Sequence, residues 1–155
     1  MDAVGCWFGT MKFLNKQMKL EAYIDGSSLG NPGEAGCGVI LATEEGTILE
    51  QRGWYLGHAT NNEAEYQGLL HCLKMVQAYH PKSLVVYSDS ELLVKQLHGQ
   101  YKVRAKHLMD LHQQVKKLLE QGGWQFRIRH VPREKNRGAD RLARNAIFKK
   151  GEQSG

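Results

Sequence analysis

The spacing of apolar residues changes period along the chain, and this change most constrains the fold. Apolar and polar residues alternate over 20–25, which predicts a strand, and two more strands are predicted over 37–42 and 47–55. The short turn 44–46 makes the second and third strands a hairpin. Apolar residues then recur at helical spacing, which predicts a helix over 62–79.

The remaining elements alternate between the two periods. A strand is predicted over 84–87, a short helix over 91–97, a longer helix over 108–119, a strand over 124–129, and a last helix over 139–147. The order βββαβααβα predicts an α/β fold with a five-stranded mixed sheet and helices packed on it. Its first three strands are antiparallel, and the later parallel additions need helical crossovers.

Capping patterns mark where two of these helices begin. Thr60 and Glu63 have the spacing of a capping box, and Pro81 ends the helix that follows. Ser88 and Glu91 have the same spacing before the short helix. In both cases the sequence assigns the cap to residues other than the nearby acids Glu65 and Asp89.

The chain length of 155 residues supports one domain. We expect a flexible amino-terminal extension over 1–18, a single domain over 19–150 and a frayed tail over 151–155. The first segment lacks the pattern of a signal peptide, and no apolar run approaches the ~20 residues of a membrane span. Three cysteines without a CxxC pair argue against a disulfide framework and favour a reducing, cytoplasmic location.

Positive charge is concentrated near the carboxyl terminus. The chain has a formal net charge of +5. Between positions 127 and 150, nine basic residues against Glu134 and Asp140 leave a local charge of +7. A field of this kind attracts polyanions, although a basic face can also serve only for solubility.

Four acidic residues occupy strand ends and helix starts: Asp25, Glu65, Asp89 and Asp140. In α/β sheets these positions converge at one sheet edge. Clustered carboxylates repel each other unless cations enter, and Mg²⁺ or Mn²⁺ prefers such oxygen ligands. Two ions about 4 Å apart can activate water and stabilise a leaving oxygen in phosphoryl displacement.

Each acid also has a structural interpretation. Asp25 could close its own turn, Asp89 could cap a helix, and Glu65 could favour a helix start through the dipole. Asp140 could pair with Arg137 or Arg144 at helical spacing. The joint placement of the four acids, rather than any one of them, favours a catalytic site.

Four segments containing these acids resemble the motifs of type 1 ribonuclease H, in the family's order. They are DGSSLGNPG at 25–33, TNNEAE at 60–65, YSDS at 87–90, and HVPRE followed by NRGADRLA within 130–143. The resemblance extends over about 20–148. It implies the ribonuclease H-like fold with the same βββαβ start.

The resemblance also implies an endonuclease that cuts the RNA strand of an RNA/DNA hybrid with two Mg²⁺ ions, leaving 5′-phosphate and 3′-hydroxyl ends. Carried over by position, the catalytic metal ligands are Asp25, Glu65, Asp89 and Asp140. His130 matches the family's mobile histidine. The matching substrate-binding positions are Gly26, Ser27, Asn31, Asn61, Asn62 and Ser90, of which the asparagines face the minor groove.

The sequence departs from some family members in lacking a Lys- and Trp-rich protrusion, because 99–104 leads straight into the next helix. Contacts to the DNA strand then depend on other cations, such as Lys102, Arg104 and Lys106. His130 has an alternative interpretation as the last residue of a strand, on the same face as the apolar residues Trp124, Phe126 and Ile128.

Three other functions are consistent with parts of the pattern. A nuclease of the same fold could also cut double-stranded RNA, and a non-catalytic module could use the same basic face. Clustered acids argue against the binding module, because negative charge does not help a protein bind phosphates. The basic segment argues against a small-molecule phosphatase. We expect a monomer without an obligate protein partner.

Overall fold

The computed structural model describes residues 18–149, which form a single five-stranded sheet in the order β3-β2-β1-β4-β5. β1 runs antiparallel to β2, and β2 antiparallel to β3, whereas β4 runs parallel to both β1 and β5. The predicted mixed sheet is therefore confirmed. The strands are β1 (Lys19–Ser28), β2 (Gly33–Thr43), β3 (Ile48–Ala59), β4 (Ser83–Ser88) and β5 (Gln125–His130).

Four helices follow in the predicted order, of which α3 packs on α1 rather than directly on the sheet. They are α1 (Asn61–Val76), α2 (Glu91–Leu97), α3 (Lys106–Gly122) and α4 (Arg137–Phe148), with a 3₁₀ turn at Arg133–Lys135 before the last. α1 packs against β1, β2 and α3, whereas α4 packs against β1, β2 and β3. Successive residues of β2 point to opposite faces of the sheet, so α1 and α4 cover opposite faces.

The core lies between the sheet and α1. Fully buried side chains from alternate strand positions meet one face of this helix, where Tyr66 and Leu69 are at most 1% exposed. The α1 face predicted from helical spacing is confirmed in full: Tyr66, Leu69, Leu70, Leu73 and Val76 are all buried.

Glycines on the opposite face bring α4 close to the sheet. A Cβ at Gly38 would lie 2.5 Å from the Ala139 carbonyl oxygen, and one at Gly53 would lie 2.4 Å from that of Leu142. Real Cβ atoms do not approach this closely. The glycine positions thus fix the height of α4 above β2 and β3, and with it the position of Asp140.

Several predicted boundaries are wrong. The glycine- and serine-rich segment 26–33 is not one loop, because β1 continues to Ser28 by pairing 26–28 with 35–37 of β2. The turn contains only 29–32, including a cis peptide bond before Pro32. β3 extends to Ala59, with a bulge near Gly57, whose φ is +75°.

The predicted extension 1–18 and tail 151–155 fall almost entirely outside the described residues. Within the described part, Cys37 and Cys72 are buried and free of disulfide bonds. No helix there is long and apolar enough to cross a membrane.

Candidate active site

Three of the four predicted acids meet at one edge of the sheet. Parallel pairing sets Ile24 of β1 beside Ser88 of β4, so that Asp25 and Asp89 lie side by side. Asp89 directly follows β4, whereas Asp25 lies within β1 and not at its predicted end. Glu65 approaches from the second turn of α1. Oxygen atoms of Asp25, Glu65 and Asp89 all lie within 4.8 Å of one another. We call these three residues the carboxylate cluster.

Glu65 is held in the cluster by the backbone of β1. The Gly26 N–H donates a 2.8 Å hydrogen bond to Glu65 Oε1. The confirmed capping box fixes the start of the same helix: Thr60 Oγ1 accepts from the Glu63 N–H and Glu63 Oε1 accepts from the Thr60 N–H. Because Glu63 serves the cap, Glu65 is left for the cluster.

Asp140 borders the carboxylate cluster from α4. Its carboxyl lies close enough to Asp25 to add to the raised pKa of Asp25, after burial and the charges of Glu65 and Asp89. Asp140 Oδ1 also accepts a 3.2 Å hydrogen bond from Arg144 Nε, one turn along the helix. The ion pair predicted as an alternative for Asp140 therefore exists beside its contact with the cluster.

Burial and mutual repulsion make the carboxylate cluster costly to ionise. Burial raises the pKa of Asp25 well above its usual range, and the charges of Glu65 and Asp89 raise it further. Burial also raises the pKa of Glu65, followed by the charge of Asp89; the Gly26 N–H and the Arg133 guanidinium act in the opposite direction. A divalent cation would relieve both effects, and carboxylate oxygens are the ligands that Mg²⁺ and Mn²⁺ prefer.

Asn136 is a site residue that sequence reasoning missed. Only 1% exposed, it donates from Nδ2 to the Ile24 carbonyl oxygen at 2.8 Å and to Asp89 Oδ2 at 3.3 Å. Asn136 therefore connects the start of α4 by hydrogen bonds to β1 and to the residue that follows β4. Its Oδ1 is buried without a hydrogen-bond partner in the described structure. The sequence signals were its place as the first residue of the NRGADRLA segment and its position at a helix start, which ordinarily indicates a cap.

Two of the predicted substrate-binding asparagines join the β1–β2 turn to the start of α1. Asn61 Oδ1 accepts from the Ser28 N–H, and Asn31 Oδ1 accepts from the Asn61 N–H, both at 3.0 Å. Their carbonyl oxygens are thus occupied, which leaves the amino groups as donors. Asn31, Asn61 and Asn62 are all exposed beside the cluster.

The helix that follows Asp89 begins differently from the sequence prediction. Ser90, rather than Ser88, is the N-cap of α2, and its Oγ accepts from the Leu93 N–H. Ser88 lies in β4 and its Oγ accepts from the Ser90 N–H. Glu91 pairs with Lys95 instead of closing a capping box. The predicted Ser88–Glu91 pair is wrong because β4 extends through Ser88.

The other predicted site residues lie around the cluster. Gly26 and Ser27 are half-buried residues of β1. His130 ends β5 beside Ser88 and is exposed, although it shares a strand face with buried Ile128. Only eight residues, 98–105, separate α2 from α3, so no protrusion is inserted there. Lys102, Arg104 and Lys106 are exposed.

A sheet of this order, with clustered acids from β1, α1 and the residue after β4, defines a ribonuclease H-like domain. A sequence model of the reverse transcriptase-like family matches residues 23–146. Ribonuclease HI of Halobacterium salinarum is 36% identical over 129 residues, covering 83% of this chain and 64% of that protein. The chain thus spans about two thirds of that relative's length.

Solved structures agree with this assignment. The amino-terminal RNase H domain of rv2228c from Mycobacterium tuberculosis is 35% identical with a TM-score of 0.82, covering 90% of this chain and all of that one. LC11-RNase H1, isolated from compost and crystallised with an RNA/DNA hybrid, is 36% identical with a TM-score of 0.82, covering 84% and 98%. The chain belongs to the type 1 ribonuclease H family.

Proposed function

We propose that the protein is an endonuclease that hydrolyses the RNA strand of RNA/DNA hybrids. The observation that carries this proposal is the carboxylate cluster: three acids with oxygens within 4.8 Å at a sheet edge, in a ribonuclease H family member. The structure of LC11-RNase H1 with an RNA/DNA hybrid, at 36% identity, supports the substrate class.

The residues that would hold the metal are Asp25, Glu65 and Asp89, with Asp140 at the border of the same site. Their donor set fits Mg²⁺, with Mn²⁺ as the alternative, because hard cations favour oxygen ligands. We propose two ions per site. When bound, they would lower the pKa of water and stabilise negative charge on the phosphate and leaving oxygens.

The reaction we propose is an in-line displacement at phosphorus. A water oxygen bonds to the phosphorus as the P–O3′ bond breaks, and the departing O3′ takes up a proton, leaving 5′-phosphate and 3′-hydroxyl ends. His130 is exposed at the strand end next to β4, where it could assist proton transfer or product release. Asn136 and Gly26 act as positioning residues by holding Asp89 and Glu65.

Recognition of the hybrid would use the amide groups beside the cluster. Asn31 and Asn61 use their carbonyl oxygens within the protein, so their amino groups remain to donate to a ligand. The minor groove of a hybrid displays 2′-hydroxyls and base acceptors that carry little sequence information. Donors at fixed positions would thus bind the groove without reading a sequence.

A nuclease of wider scope, which also cuts double-stranded RNA, is the second candidate. The short connection between α2 and α3 favours it, because no protrusion is inserted there to contact a DNA strand. We further propose that the protein acts as a cytoplasmic monomer, in keeping with the free thiols of Cys37 and Cys72.

A panel of end-labelled 20-mers tests the proposal: RNA/DNA hybrid, RNA/RNA, DNA/DNA and single-stranded RNA, each with and without Mg²⁺. We expect metal-dependent cutting of only the RNA strand of the hybrid. Asp89→Asn protein, prepared identically, should bind the hybrid and not cut it, which excludes a contaminating nuclease. Additional cutting of RNA/RNA would establish the wider scope. Binding without any cutting would contradict both and favour the non-catalytic module.

A further inference from the structure

An open groove of about 610 Å³ runs along α4 away from the carboxylate cluster. Four arginines line it, together with the aromatic ring at the end of the helix; we call this surface the arginine groove. Two acids, Glu134 and Asp140, also line it. The residues that carry the argument are Arg133, Arg137, Arg141, Arg144 and Phe148.

The arginine groove opens directly from the cluster. Asp140 connects the two, because it lies beside Asp25 and also lines the groove. Arg133 is close enough to the cluster for its charge to stabilise the ionised form of Glu65. A nucleic-acid strand with one phosphate at the cluster can therefore continue into the groove without leaving the protein surface.

Three of the arginines form a continuous stripe with Phe148 along α4. Positions 137, 141, 144 and 148 are separated by three or four residues and so share one side of α4. At 1.5 Å per residue the stripe is about 16 Å long, a length of several nucleotides. Asp140 neutralises Arg144 through its ion pair, whereas Arg137 and Arg141 are exposed for contact with phosphates.

Phe148 favours a single strand over a duplex as the ligand of the arginine groove. This ring is 71% exposed at the far end of the stripe. Aromatic side chains beside a basic groove bind single-stranded nucleic acid by stacking on unpaired bases, and a paired base inside a duplex offers no free face. The combination of phosphate-binding arginines and one exposed ring fits an unpaired strand.

We propose that the arginine groove binds an unpaired extension of the RNA strand that continues beyond the hybrid being cut. The proposal rests on the proposed function, because the strand at the carboxylate cluster is the one that is cleaved. Hybrids with a single-stranded RNA overhang at one end are then preferred over blunt hybrids of equal paired length.

Fluorescence anisotropy on Asp89→Asn protein in Mg²⁺ tests the preference without cleavage. The ligands are four versions of one 12-bp hybrid. One is blunt, two carry six unpaired nucleotides at the 5′ or the 3′ end of the RNA strand, and one carries six unpaired nucleotides on the DNA strand instead. We expect an RNA extension at one end to tighten binding about 10-fold, a size consistent with stacking of one base.

Variants locate the effect in the groove. Arg137→Ala combined with Arg141→Ala should remove most of the gain and reduce the salt slope for the extended ligand by about 1.4, since single strands lose ~0.7 per phosphate contact. Phe148→Ala should reduce the gain with little change in salt slope. Lys116→Ala combined with Lys117→Ala removes the same charge from the exposed side of α3 and should keep the gain.

Equal affinity for blunt and extended hybrids would overturn the proposal. So would a gain that survives the double arginine variant, or an equal gain when the DNA strand is extended instead of the RNA strand. Cleavage of the blunt hybrid by unmodified protein is measured separately: its failure would count against the proposed function, whereas loss of the overhang preference alone counts only against the groove.

Discussion

Replacing Gly26 with alanine tests whether contact between β1 and α1 places Glu65. A Cβ at Gly26 would lie 2.2 Å from the Ala64 carbonyl carbon and 2.3 Å from the Glu65 nitrogen. Both atoms belong to helix backbone, so they cannot turn aside as a flexible side chain can. Ordinary contact begins at 3.4 Å, so α1 and β1 must separate by about 1 Å at the cluster.

The expected cost follows from that displacement. Overpacking of this kind typically lowers the free energy of unfolding by about 1–3 kcal/mol. A misplacement of about 1 Å in a catalytic group can reduce the rate about 100-fold. The Gly26 N–H would also lose its 2.8 Å hydrogen bond to Glu65, which loosens the same carboxylate.

Urea unfolding and single-turnover cleavage of a hybrid at saturating Mg²⁺ measure the two effects. Gly138→Ala is the matched control, because its Cβ would meet only the end of the Ile40 side chain, at 2.6 Å. We expect that control to keep its stability, with a gain of up to about 1 kcal/mol from helix propensity. A Gly26→Ala protein with unchanged stability and rate would refute the argument that backbone contact positions Glu65.

Three further changes test other parts of the site. The pKa of Asp25 is raised, so the folded, metal-free protein keeps a proton on this carboxyl that the unfolded chain loses above its ordinary pKa of 3.8. The free energy of unfolding should therefore fall as pH rises from about 4 through neutrality. Asp25→Asn should flatten this decline and raise the melting temperature at pH 7.5 in EDTA; an equally steep decline in the variant would contradict the assignment. Asn136→Ala should lower the free energy of unfolding by about 1–3 kcal/mol and raise the Mg²⁺ concentration for half-maximal rate, because Asp89 loses a hydrogen-bond donor. An unchanged Mg²⁺ requirement would show that Asn136 acts only through its hydrogen bond to Ile24. His130→Ala should slow hybrid turnover by about 10-fold or less. An unchanged rate would show that His130 is only the last residue of β5 and takes no part in turnover.

The fold was predictable because its apolar periodicity agrees with its tertiary packing. The alternation over 20–25 and the helical spacing of Tyr66 to Val76 describe faces that are buried in the structure. The capping box at Thr60 was predictable for the same reason, since both of its hydrogen bonds are local. The juxtaposition of Asp25 and Asp89 was predictable from the parallel pairing of β1 and β4, although β1 continues past Asp25.

The features that sequence reasoning missed depend on distant contacts. The segment 26–28 has the composition of a loop, yet it pairs with β2, and Gly26 lets α1 approach this part of the strand. Asn136 has the pattern of a helix cap, but its partner is the Ile24 carbonyl, 112 positions away. The arginine groove also depends on tertiary structure, because only the packing of α4 brings Asp140 beside Asp25.

The central claim is that the carboxylate cluster holds the metal with which the protein cuts RNA. Its most direct test is the cleavage rate of one RNA/DNA hybrid during a Mg²⁺ titration from EDTA, with the ends of the RNA products identified. We predict no cleavage in EDTA, a rate that rises with Mg²⁺ to saturation, 5′-phosphate and 3′-hydroxyl ends, and no metal response from Asp25→Asn protein. Cleavage in EDTA, or an Asp25→Asn protein that responds to Mg²⁺ like the unmodified one, would contradict the account.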